Sequence, residues 1–103
     1  MATKPISNQT AATVEIREKI LPVLRRHGVK RAGIFGSVVR GEATPESDVD
    51  VLVELDRQAS LLDFIGIKLD LEGVLGRSVD LVEYAAVKPR LRDRILREEV
   101  PIL

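Results

Sequence analysis

The chain has 103 residues, room for one domain around one hydrophobic core. Its 16 basic and 16 acidic residues cancel, which disfavours a nucleic-acid polymer as the direct substrate, because proteins that live on a phosphate backbone carry a basic excess. Without cysteine it has neither disulfides nor thiolate metal sites, and no apolar run approaches the ~20 residues that span a bilayer, so a soluble, cytoplasmic protein is expected.

Residues 1–10 are polar and read as a frayed leader, leaving 11–103 as the domain. From Ala11 to His27 the apolar residues Ile16, Ile20, Val23 and Leu24 recur at helical spacing. A basic last turn and Gly28 end this helix, and Pro22 inside it predicts a kink or break. Arg31–Phe35 is a short strand candidate, Ser37–Arg40 a brief helix, and Asp48–Leu55 a β-branched strand. Ser60 and Asp63 have capping-box spacing at the start of Leu61–Leu75. That segment alternates like a strand but its cap and length favour helix, and its apolar surface is broader than one buried face needs. A second side packed against another chain, in a homodimer or heteromer, would account for the excess. Ser78–Val82 is a third strand, and Pro89–Glu98 a helix opened by proline at a tolerated position. The expected architecture is α/β, a three-stranded mixed sheet packed against about four helices.

Two features of the middle segment carry chemistry. Gly36-Ser37 lies between a strand and a helix, where glycine lets backbone approach a ligand and the unpaired N–H groups of the helix start suit phosphate. In Asp48-Val49-Asp50-Val51 the two aspartates are two residues apart, on one face of a strand and roughly 7 Å apart at Cα, while Val49, Val51 and Val53 face the core. Like charges on an aliphatic strand repel one another, and a divalent cation removes that conflict. Asp80, in a neighbouring short strand, would add a third carboxylate, enough for two ions that clamp the attacking and leaving oxygens of a displacement at phosphorus.

Gly36-Ser37-Val38-Val39-Arg40-Gly41, then Ser47-Asp48-Val49-Asp50 and the later Val79-Asp80-Leu81-Val82, resembles the signature of the DNA polymerase β-type nucleotidyltransferase superfamily. More narrowly it is similar to the minimal nucleotidyltransferases, often paired with HEPN-domain partners in prokaryotic toxin–antitoxin systems. The resemblance implies a polymerase β-like core that moves a nucleoside monophosphate, AMP from ATP, to a hydroxyl with two Mg2+ ions, or Mn2+ in their place. It implies that Gly36 and Ser37 hold the β- and γ-phosphates, that Asp48, Asp50 and Asp80 hold the metals, and that Asp80 helps the acceptor hydroxyl lose its proton. Arg40 contacts phosphates or braces its loop through Glu42, Glu46 or Asp48. The implied partner is a HEPN-type toxin modified on a tyrosine, with this chain as antitoxin. A binding module that neutralises its partner by contact, and a small-molecule transferase of the antibiotic-modifying kind, are the alternatives. His27 reads as an exposed helix-end residue, Tyr84 as a half-buried tyrosine, and the arginines of 88–99 as a solvated face laced by Asp93–Arg97 and Arg94–Glu98 pairs.

Overall fold

The computed structural model describes residues 11–103; the expected leader at 1–10 lies outside the described residues. Helix α1 (Ala11–Arg26) leads into strand β1 (Arg31–Phe35), the short helix α2 (Ser37–Arg40), strand β2 (Val49–Glu54), helix α3 (Leu61–Leu75), strand β3 (Val79–Glu83), a 3-10 turn (Tyr84–Ala86), helix α4 (Pro89–Glu98) and strand β4 (Val100–Pro101). The strands form one mixed sheet ordered β3-β2-β1-β4. β1 runs antiparallel to β2 and to β4, and β2 runs parallel to β3.

Among the described residues the sheet therefore has four strands, not the expected three. β4 escapes sequence reading because it is two residues long and contains Pro101. Proline is tolerated there because β4 is an outer strand, needing to pair only with β1. The chain end reinforces the contact, with Ile102 N–H donating to Ala32 O at 2.9 Å and Ala32 N–H to Leu103 O at 3.2 Å.

One sheet face is covered by helices and holds the main core. Ile16, Ile20, Val23 and Leu24 of α1 and Ile67 and Leu71 of α3 meet Ile34, Val49, Val51, Val53, Val79 and Leu81, all buried. Pro22 does not break α1, which runs helical to Arg26. Apolar anchors stand on both sides of the proline, and their burial outweighs the roughly 3 kcal/mol an interior proline costs. α3 is a helix with the expected capping box: Ser60 N–H donates to Asp63 at 2.8 Å and Asp63 N–H to Ser60 Oγ at 3.1 Å. Its outward side stays apolar, with Leu61, Leu62 and Leu69 at 74%, 79% and 58% exposure.

The opposite sheet face has a thinner cover. Leu52, Tyr84 and Val87 form a small second core, joined by Phe35, Val82 and Ile95. Leu52 is thus as buried as the valines that flank it, which alternation alone does not predict. Glu99 is buried on this side and accepts a hydrogen bond from the Tyr84 hydroxyl. Burial and the neighbouring Glu99 raise the Tyr84 phenol, keeping it a neutral donor. The Arg31 guanidinium lies 4.1 Å from the centre of the Tyr84 ring. Tyr84 is more buried than the sequence suggests, and His27 bonds Asp70 at 2.7 Å. Of the two expected α4 pairs, Arg94–Glu98 is present at 3.5 Å.

Candidate active site

β1 carries the chain to Gly36, whose φ of 80° and ψ of −149° lie in a region that is essentially glycine's alone. A Cβ there would stand 2.1 Å from Asp50 Oδ2, so the absence of a side chain is also what lets the backbone pack against that carboxylate. α2 starts at Ser37, and the first N–H groups of a helix have no partner within it. Gly41, left-handed at φ 76°, ends this single turn, and Glu42 N–H donates back to Ser37 O at 2.9 Å. The result is a tight glycine-to-glycine loop whose start lies beside the acids.

The acids are gathered by the sheet register. In the antiparallel pair Phe35 faces Asp50, and in the parallel pair Asp50 faces Asp80 directly. Side chains directly opposite on neighbouring strands share a face, with Cβ atoms roughly 5 Å apart. Asp50 and Asp80 thus stand on the thinly covered face, ahead of the Leu52–Val82 pair that starts the second core. Asp48 precedes β2 and is exposed. Burial, then the charges of Asp80 and Asp48, and a hydrogen bond with Asp80 push the Asp50 carboxyl up to about 6, while the Arg40 guanidinium pulls it back.

Four sequence-predicted residues, Gly36, Asp48, Asp50 and Asp80, therefore come together, with Ser37 next in chain to Gly36. Arg40 divides its guanidinium between Glu42 at 3.0 Å and Glu98 at 3.1 Å. The Glu42 contact is one of the expected braces; Glu98, from α4, is not among them.

The donor set fits a hard divalent cation. The Asp50 carboxyl, held above its ordinary range by burial and by the neighbouring acids, is relieved by positive charge, and Mg2+ takes one or two protein carboxylates and completes its shell with water and substrate phosphates. Among the described residues no three acid or histidine side chains are closed to metal-binding distance. The acids are gathered on one face without being closed into a cage.

Two buried or half-buried residues near this site escape sequence reading. Glu99 sits where Gly33 lacks a side chain, a Cβ there lying 2.0 Å from its Oε2. Arg77, half-buried before β3, donates to main-chain carbonyls of the loop ahead of Asp48. A glycine in mid-strand is the only sequence signal for the first; the second has none.

The nucleotidyltransferase domain model matches residues 17–102. Protein adenylyltransferase MntA of Thermococcus cleftensis is 45% identical over 91 residues, covering 88% of this chain and 85% of that protein. A Methanocaldococcus jannaschii relative, also named for protein adenylyltransferase activity, is 52% identical over 89 residues, 86% of this chain and 96% of its own. A solved structure described as a minimal nucleotidyltransferase superposes with TM-score 0.75 at 46% identity, over 85% of this chain and 90% of that one. The fold also matches the MNT antitoxin in complex with tri-AMPylated Shewanella oneidensis HEPN toxin, at TM-score 0.68 and 20% identity over 87% and 71% of the two chains.

Proposed function

Because this chain belongs to the nucleotidyltransferase domain family and is a nucleotidyltransferase, we propose that it adenylylates a hydroxyl of a partner protein, a tyrosine of a HEPN-type toxin, and so acts as the antitoxin of a cytoplasmic pair. One observation carries the reading: Asp50 and Asp80 directly opposite in the β2–β3 register, with the Gly36 backbone against Asp50. A binding module that acts by contact alone has no use for acids that destabilise one another. The names of the two adenylyltransferase relatives support AMP as the group moved, and the MNT–HEPN complex supports the kind of partner.

In this reading the triphosphate lies over the Gly36-Ser37 turn, its β- and γ-phosphates held by main-chain N–H groups and the Ser37 hydroxyl. Asp48, Asp50 and Asp80 hold Mg2+ or Mn2+, which when bound neutralises phosphate charge and favours the ionised acceptor oxygen. The acceptor oxygen attacks the α-phosphorus in line. A new oxygen–phosphorus bond forms, the α–β bridging bond breaks, and pyrophosphate leaves. Asp80 takes the proton of the acceptor hydroxyl. Arg40 acts as a brace of α2 rather than a phosphate ligand, its guanidinium already shared between two glutamates.

The test is incubation of the chain with α-labelled ATP, Mg2+ and a HEPN-type partner. Label on a partner tyrosine, absent in an Asp48→Ala, Asp50→Ala variant, is expected. A tight complex that never takes label would overturn the reading in favour of contact-only neutralisation, and label only on an added small alcohol would make it a small-molecule transferase.

A further inference from the structure

We propose that Arg77 is a positioning residue that fixes Asp48 relative to Asp80, an inference that rests on the functional reading above. Asp48 is exposed and precedes β2, so strand pairing does not settle its place. Its main chain is instead tied on both sides to the segment that leads into β3. On one side, Arg77 Nε and Nη2 donate to the Ser47 carbonyl at 3.2 and 2.7 Å, and Nη2 also reaches Thr44 O at 3.0 Å. On the other, Val49 N–H donates to Ser78 O at 3.0 Å. Residue 47 is thus held by residue 77 and residue 49 by residue 78, with Asp48 between them and Asp80 two residues further along the holding strand.

Both ends of this strap are themselves braced. The Thr44–Ser47 turn is closed by Ser47 N–H to Thr44 O at 3.0 Å and Thr44 N–H to Ser47 Oγ at 2.8 Å. Arg77 follows the left-handed Gly76 that ends α3, and β3 starts where Val79 N–H donates to Glu72 Oε2 at 2.9 Å, a carboxylate also paired with Lys68 at 2.8 Å. A planar, forked guanidinium can reach two carbonyls at once, whereas a lysine ammonium on a flexible stem offers the charge without the fork. The strap therefore transmits the position of α3 and β3 to a carboxylate that would otherwise move with its loop. Residues that orient a metal ligand without touching the metal typically change metal affinity or activity 10–100-fold when removed.

The experiment compares wild type, Arg77→Lys and Arg77→Ala by three measurements. Amide hydrogen exchange without nucleotide reads Ser47 and Val49, calorimetry reads Mg2+–ATP affinity, and steady-state transfer separates kcat from KM. In Arg77→Ala, exchange at Ser47 and Val49 should quicken about tenfold or more while β1 amides hold, and affinity and kcat should each fall about 10–100-fold. Arg77→Lys should fall between the two, and it carries the test alone if the alanine variant does not fold. Unchanged exchange at Ser47 and Val49, or a lowered melting temperature with affinity and kcat intact, would overturn the proposal. Wild-type chain that neither binds Mg2+–ATP nor transfers AMP would overturn the functional reading instead, because exchange is read without nucleotide.

Discussion

Replacing Asp50 with asparagine should stabilise the ligand-free protein while abolishing transfer. The Asp50 carboxyl rises from its ordinary 3.8 to about 6 because it is half-buried beside Asp80 and Asp48. A folded-state value above the unfolded one means that, as pH climbs from about 4 to 6, the unfolded chain loses this proton first. Stability contributed by the neutral form is full below the unfolded value and is lost as pH passes the folded one. Taken at face value the rise is at most about 3 kcal/mol, and the part of the side chain that meets water screens it to about 1–2 kcal/mol. Asparagine cannot ionise and keeps a donor for Asp80. In EDTA at pH 7.5 the variant should melt roughly 5–15 °C above wild type, at about 4–8 °C per kcal/mol for a domain this size, and the gap should close near pH 4. Adding Mg2+–ATP should raise the wild-type midpoint and leave the variant's unmoved. Urea or thermal unfolding at the two pH values decides the matter: a variant less stable than wild type at pH 7.5, or a gap independent of pH, would refute the electrostatic account.

Gly36→Ala should act in the opposite sense, losing about 2 kcal/mol or more together with transfer, because the new Cβ meets Asp50 Oδ2 at 2.1 Å and the backbone region is glycine's own; a folded, fully active variant would contradict the packing described. Gly33→Ala displaces Glu99 from beneath the Tyr84 hydroxyl, so in a double-mutant cycle with Glu99→Ala the two losses should fall short of additive by about 0.5–3 kcal/mol. Strict additivity in urea unfolding would show that the two sites do not touch. Leu62→Ser, at a residue 79% exposed, should leave monomer stability within about 0.5 kcal/mol by the same measurement, and a larger loss would mean that this side of α3 is covered in solution.

What could be read in advance follows from how local each signal is. The apolar spacing of α1, the Ser60–Asp63 cap and the β-branched run of β2 are short-range patterns, and each returns as the expected element. Asp50 was legible for the same reason, but Asp48 lies just ahead of β2, so the rule that residues two apart on a strand share a face does not place it. That Asp50 meets Asp80, however, depends on a parallel register that no local pattern states. β4 was hidden by its length and by Pro101, and its place depends on β1 offering a free edge. Nothing local singles out Glu99 or Arg77, because their partners, Tyr84 and the carbonyls of Thr44 and Ser47, lie 15 and about 30 residues away.

Asp80 rides on β3, which is the outer strand of the sheet on its side. Chemistry set on a rim can be approached sideways, so the acceptor group need not be a detached small molecule swallowed by a cleft. It can stay part of another folded body that berths alongside. Under the proposed transfer, discrimination among acceptors would come from how well two surfaces mate well away from the phosphorus, and turnover would turn on how fast they part.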